Sequence, residues 1–250
     1  MIDILNKANE RIKFNVEKHL YSIGNKDLIS VSKFISLFKN PFDPDGEILK
    51  RCASKKGIPH EELKAEWEKT KQDACNFGTG LHTEIEHYIK NKEVRNTKYK
   101  QILSEFSKLK FGGQLYSEVI IFDEEFGLAG TCDLVEYYPK TNSLYLHDWK
   151  SNKKLDKYSF WKNKMLPPIE YLDDCNFNLY QLQLSLYAYM LDNQGFWVDD
   201  LSIFHINKKT ETIKKHEVDY KRKEVVLMLE YYKQHGNSRP VENLDDDFDF

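Results

Sequence analysis

Asp133, Asp148 and Lys150 stand on two segments, AGTCDLVEYY (129–138) and SLYLHDWKS (143–151), joined through a Pro-Lys-Thr-Asn turn. Their β-branched and aromatic content reads as paired β-strands. Side chains alternate along a strand, so Asp148 and Lys150 share one face and Trp149 takes the other. Two carboxylates and an ammonium on one sheet face are costly to bury unless they bind something. Carboxylate oxygens suit Mg²⁺, and a lysine offers a point charge to a water or a phosphate, so this trio points to a divalent metal and a phosphate. The same D-x-K pattern also serves as a solvent-facing ion pair on an edge strand.

Other residues could join that chemistry. His82 and Glu86 lie four apart in LHTEIEHYIKN and share a helix face. Imidazole can complete a carboxylate site for Mn²⁺ or Mg²⁺, although a helical His–Glu pair is also an ordinary surface pair. Gly78-Thr79-Gly80 just upstream would let the backbone approach a neighbour. Gln183 and Tyr187, in QLQLSLYAYML, are likewise four apart. They could orient a lysine or contact a phosphate; in the plainer reading Leu182, Leu186 and Tyr189 pack while Gln183 meets water.

Taken in order, G-x-x-x-H ending at His82, Glu118, G-x-x-D from Gly130 to Asp133, DWKS and Q-x-x-x-Y resemble the PD-(D/E)xK nuclease superfamily. The likeness runs from about Gly78 to Leu191 and is greatest to the branch with the RecB nuclease domain, the mitochondrial genome maintenance exonuclease and related phage nucleases. It implies a mixed α/β fold with a restriction-endonuclease-like core: a central mixed sheet with an antiparallel meander, flanked by helices. It also implies that His82, Asp133, Asp148 and the main-chain carbonyl of Trp149 bind one or two Mg²⁺ or Mn²⁺ ions. Lys150 would position or activate water, Glu118 would be an auxiliary acid, and Glu86, Ser151, Gln183 and Tyr187 would support the site. SVSKFISLFKNPFD near the N-terminus has a phage-like flavour. His147 departs from the family's usual aliphatic residue and should point away from the metal face. Cys52, Cys75, Cys132 and Cys175 form no CxxC pair, so an iron–sulfur cluster is not expected; no Walker A motif suggests a bound nucleotide.

These residues need elements to position them. Helix is expected over 3–20, over VSKFISLF behind a Ser30 or Ser32 cap, from His60 past the Gly-Thr-Gly (with a break there left open), over 97–110, 176–192 and 219–234. PFDPDG (41–46) reads as a turn. Strands are expected at 115–122, 129–138 and 143–151, forming the meander, and at 201–207 and 211–218. The expected organisation is one domain over 1–240, with a helical extension over 1–60 and a catalytic core over 78–218, and an acidic disordered tail over 241–250.

The 250 residues are 40% hydrophobic and 31% charged, with net charge −3, as in a globular protein. VENLDDDFDF carries five acids, and without it 37 basic side chains face 35 acidic ones. No signal peptide or run of about 18 apolar residues is evident, so the expectation is no membrane and a cytoplasmic location, bacterial or phage-infected. KKLDKYSFWKNK interleaves Lys153, Lys154, Lys157, Lys162 and Lys164 with Tyr158, Phe160 and Trp161, a composition suited to a single-strand path or to a solvated loop with packed aromatics. Lys50, Arg51, Lys55 and Lys56 could form another wall. The tail reads as a solubilising end, a hook for a replication or recombination partner, or a cover for the basic path. The expected activity is a Mg²⁺/Mn²⁺-dependent deoxyribonuclease acting from an end on single-stranded DNA. A structure-specific endonuclease, an RNase of the same superfamily and a non-catalytic nucleic-acid-binding subunit are the alternatives.

Overall fold

The computed structural model describes residues 10–15, 18, 20–41, 46–159 and 161–240. In chain order the elements are β1 (Ile12–Asn15), β2 (Leu20–Ile23), β3 (Lys26–Ser30), α1 (Val31–Ser36), α2 (Glu47–Lys56) and α3 (His60–Asn91). A 3₁₀ turn (Thr97–Tyr99) leads into α4 (Lys100–Ser107), β4 (Gln114–Asp123), β5 (Leu128–Tyr138) and β6 (Ser143–Lys150). Then come α5 (Asn176–Asn193), β7 (Trp197–Asn207), β8 (Thr212–Glu217) and α6 (Arg222–His235).

The antiparallel meander of β4, β5 and β6 forms as expected. A crossover through α5 then places β7 parallel to β6, and β8 returns antiparallel beside it. Among the described residues this makes one mixed eight-stranded sheet. One face carries α1, α5 and α6 over a core that includes Phe34, Leu144, Leu146, Leu186 and Met228. The other carries α3 and α4 over Leu81, Ile85, Phe106, Trp149 and Phe204.

The helix expected over 3–20 is corrected where it is described: Ile12–Asn15 is a strand and Leu20 begins another. Residues 1–9, 16, 17 and 19 lie outside the described residues. Among the described residues of 1–60, a strand hairpin and a third strand precede α1 and α2, in place of the expected helical extension. Its strands are chosen by distant partners. Ile12, Tyr21 and Leu28 bury against Phe122 and Ala129, and β3 joins β5 in parallel through Ile29↔Leu128 and Ser30↔Ala129. Pairing across about a hundred residues overrides local propensity here.

Two smaller questions resolve locally. The Ser30 hydroxyl accepts the Lys33 N–H at 3.2 Å, capping α1. The Gly-Thr-Gly does not break α3, which is continuous; a Cβ at Gly80 would collide with the Tyr99 hydroxyl. PFDPDG is described only at Pro41 and Gly46.

Candidate active site

The site forms where the meander comes apart. The β5–β6 ladder ends at Leu134↔His147, so the next opposed pair would be Asp133 and Asp148. Instead the strands separate, and Asp133 Oδ2 accepts the Trp149 N–H at 2.8 Å. Across β5 from the other side, Ser117↔Leu134 and Val119↔Cys132 bracket Glu118, which adopts a left-handed φ of 52°. A non-glycine residue there stores roughly 1–3 kcal/mol of strain.

That break shifts the side-chain alternation of both strands. Val119, Cys132 and Val135 pack on the α5 face, whereas Leu115 and Leu134 pack on the α3 face. Residues 132 and 134 would share a face in a regular strand, so the pleat slips by one at Asp133 and at Glu118. The slip lets Asp133 meet groups from both layers. His82, presented by α3, places Nδ1 3.5 Å from Asp133 Oδ1 and 3.6 Å from Glu118 Oε1. One ligand atom from each of these three lies within 4.8 Å of the others.

Asp148 is 1% exposed, with Lys150 Nζ 2.5 Å from its Oδ2. Lys150 thus engages Oδ2, while Oδ1 has no hydrogen-bond partner among the described residues. Burial pushes the Asp148 carboxyl up to about 7, with Lys150 pulling down and Asp133 pushing further up. Burial works to lower Lys150, but Asp148 and Asp133 outweigh it and hold the ammonium above its ordinary range. Its Nζ also sits 4.6 Å from the Tyr180 ring centre, a cation–π contact not foreseen from the sequence. Burial likewise opposes charge on His82, yet Asp133 and Glu118 raise it to about 9.

Gln183 and Tyr187 do meet on α5, but they hold the strand rather than Lys150. Gln183 Nε2 donates to the Tyr187 hydroxyl at 3.3 Å, and that hydroxyl donates to the Thr131 carbonyl at 3.0 Å. Gly130 allows it: a Cβ there would lie 2.7 Å from the Tyr187 ring. Tyr21, from β2, adds a 2.9 Å hydroxyl contact to Thr131 Oγ1, so two tyrosines clamp the residue two before Asp133. No local sequence signal marks Tyr21, because its partner is 110 residues away.

The remaining expected residues divide. Glu86 Oε1 pairs with Lys90 Nζ at 2.5 Å, the ordinary surface arrangement, and does not join His82 in the acid cluster. Trp149 buries its ring against Phe204 at 4.7 Å, and His147 points away from the acids into the same core, as expected. Ser151, Lys153 and Lys154 line a cleft of about 970 Å³. Lys154, Tyr158 and Trp161 line a second cleft of about 670 Å³ with Lys39, Ile48 and Asn176. Lys157 lies over the Phe177 ring at 5.0 Å, Lys164 pairs with Asp173 at 2.6 Å, and Lys162 is exposed. In the other basic cluster Lys50 pairs with Glu47 and Lys56 with Glu66, which reads as a salt-bridged helix surface. Phe160 and the acidic tail lie outside the described residues.

The donor set fits a divalent cation. Hard carboxylate oxygens and one imidazole nitrogen converge, and the adjoining buried Asp148 offers Oδ1, which has no hydrogen-bond partner among the described residues. Among the described residues no helix is long and apolar enough to cross a membrane.

Comparison with known proteins is consistent with this chemistry. A family model described as the PD-(D/E)XK nuclease superfamily matches residues 47–250. None of the curated proteins compared matches the chain. Among solved structures, a crystal structure described as that of a candidate exonuclease from Eubacterium rectale aligns at 19% identity and a TM-score of 0.41, covering 62% of this chain and 64% of that one. This chain thus spans just under two thirds of the length of that relative. The crystal structure of SSO0001 aligns at 15% identity and a TM-score of 0.40, over 96% of this chain and 90% of that one.

Proposed function

The chain belongs to the PD-(D/E)XK nuclease superfamily, and from that premise we propose that it is a Mg²⁺- or Mn²⁺-dependent deoxyribonuclease that cleaves single-stranded DNA from an end. The observation that carries this reading is the convergence of His82, Glu118 and Asp133 within 4.8 Å, beside the buried Asp148–Lys150 pair. In this reading His82, Asp133, Asp148 and the Trp149 carbonyl hold one or two ions. Glu118 stands as a third acidic ligand beside Asp133 and Asp148, promoted by its place in the cluster from the auxiliary role expected of it. A divalent ion there supplies Lewis-acid polarisation of the phosphate.

The chain's own side chains do the rest. Lys150, held as an ammonium by Asp148 and Asp133, orients the water whose oxygen attacks phosphorus as the bond to the leaving sugar oxygen breaks. Tyr180 limits where that ammonium can sit. Tyr187, Gln183 and Tyr21 fix Thr131 and thereby the position of Asp133. The preference for one strand is supported by Tyr158 and Trp161, which are 79% and 57% exposed beside Lys154. Exposed aromatics beside lysines suit unstacked bases and their phosphates.

The deciding experiment incubates end-labelled linear and circular DNA, single- and double-stranded, and RNA, with Mg²⁺, Mn²⁺ or EDTA. Release of short products from linear single strands, abolished by EDTA and by Lys150→Ala, is the expected result. Cleavage of circles would make it an endonuclease, and activity surviving Lys150→Ala would move the active site elsewhere. Calorimetric Mn²⁺ titration of the wild type against Asp133→Ala tests the metal site independently of turnover.

A further inference from the structure

The larger cleft beside the acids has a character of its own. Its walls are α3 around Thr70–Phe77, the segment Ser151–Lys154 and the β7–β8 turn Asn207–Lys209, with Lys98 at its rim. Five lysines line it (Lys98, Lys153, Lys154, Lys208 and Lys209), against one acid, Asp73. Among the described residues none of the five forms an ion pair, whereas Lys50, Lys56, Lys90, Lys108 and Lys164 on other surfaces do.

Like charges are brought together here rather than spread out. Lys98 and Lys208 come from elements more than a hundred residues apart, yet both ammoniums lie over the Phe77 ring, at 5.4 and 4.5 Å from its centre. The ring attracts each cation without neutralising either. Burial, followed by repulsion from Lys98, draws Lys208 below the ordinary lysine range despite an opposing pull from Cys75. The wall is anchored as well: the Asn152 carbonyl lies 2.8 Å from His205 Nε2 on β7. Convergent, unpaired cations on a fixed wall call for a polyanion.

Position selects which one. Ser151 directly follows Lys150. Along α3, Phe77 lies roughly 7.5 Å and Thr70 roughly 18 Å from His82 at the helical rise. A strand held at the acids and leaving along α3 runs into this cleft. We propose that the cleft binds the phosphodiester backbone of the substrate strand at phosphates beyond the one being cleaved. The proposal rests on the nuclease reading for the identity of that strand, and it assigns Lys98, Lys208, Lys209 and Phe77 to a binding surface.

The test measures binding without turnover. In the Asp148→Asn background, with EDTA present, affinity for a long and a very short fluorescent oligonucleotide, DNA and RNA, is followed across a salt series. Replacing Lys98, Lys208 and Lys209 together by alanine should weaken the long strand at least tenfold. It should also lower the slope of log affinity against log salt by roughly two, at about 0.7 for each phosphate that is no longer neutralised. The short oligonucleotide should bind as before, and the triple arginine variant should restore long-strand affinity. The loss should be equal for DNA and RNA, since backbone charge is common to both. An unchanged slope with long-strand affinity within twofold overturns the proposal. So does a loss confined to one nucleic acid, which places the contact on sugar or base. If the slope falls as expected but the wild type hydrolyses neither nucleic acid with either metal, the nuclease reading fails and the cleft assignment stands.

Discussion

Asp148 and Glu136 are carboxylates on adjacent strands, both nearly inaccessible to solvent at 1% and 3% exposed, with Asp148 the more deeply enclosed, and they have opposite fates. Glu136 Oε1 accepts the Gly112 N–H at 2.6 Å, the Gly113 N–H at 2.8 Å and the Tyr138 hydroxyl at 2.7 Å, while Oε2 faces His147 Nε2 at 3.3 Å. Burial alone would raise its pKa, but these partners hold it at about 2. Asp148, next in sequence to His147, is held among the described residues by Lys150 at 2.5 Å, and burial takes it up to about 7. Low exposure alone therefore does not set the state of a buried acid; its enclosure and its partners do. Four partners make Glu136 a staple that ties the entry of β4 to the sheet. Asp148 Oδ1, without a partner among the described residues, leaves bonding capacity that a cation, a proton or a hydrogen-bond donor can satisfy.

The sharpest way to break this contrast is to neutralise each acid. Asp148→Asn should cut cleavage by roughly a thousandfold, while its thermal midpoint moves less than that of a Glu136 variant, because losing the ion pair with Lys150 is offset by relief of burial and of repulsion from Asp133. Glu136→Ala should do the reverse. It strands two glycine N–H groups and should cost about 3 kcal/mol by denaturant titration, with the folded fraction still cleaving within a few-fold of wild type. Equal loss of stability in both variants would erase the distinction. A smaller effect tests the clamp on β5. Gly130→Ala pushes a methyl into the Tyr187 ring and should cost about 1–3 kcal/mol, measured by the same titration and relieved in part by Tyr187→Leu. The smallest effect is in pH. Glu136 has a folded pKa of about 2 against an unfolded value of about 4.3. Its contribution to stability is thus full above about 4.3 and disappears as pH falls toward 2. In Glu136→Gln the acid limb of the stability–pH curve should flatten over that window.

Much of this could be read in the chain itself. The meander, α5 and the Ser30 cap follow from local composition and spacing, and the order of His82, Asp133, Asp148 and Lys150 along the chain marks which elements must meet. What escaped depends on distance or on irregular backbone. The Ile12–Asn15 strand has no local signature that outweighs its helical residues, since its burial is supplied by Phe122 and Ala129. Glu118 lies beside His82 and Asp133 with a left-handed φ that no pattern of residue types announces. His147 looked like a departure from a family pattern, and its reason is Glu136, eleven residues earlier on the paired strand. The five-lysine cleft draws on three separate stretches, each of which reads alone as ordinary solvated charge.

The unbroken α3 has a mechanical side. His82 sits between Leu81 and Ile85, which are 0% and 1% exposed and act as a fulcrum, while Leu63 near the far end rests against Leu49 and Ala53 of α2. His60 lies roughly 33 Å from His82 along the axis. A tilt of about 5° around that fulcrum would swing the distal turns by roughly 3 Å yet displace the imidazole by only a few tenths of an ångström. The rod is thus geared down toward the acids: any given tilt moves its outer end about tenfold further than the His82 imidazole.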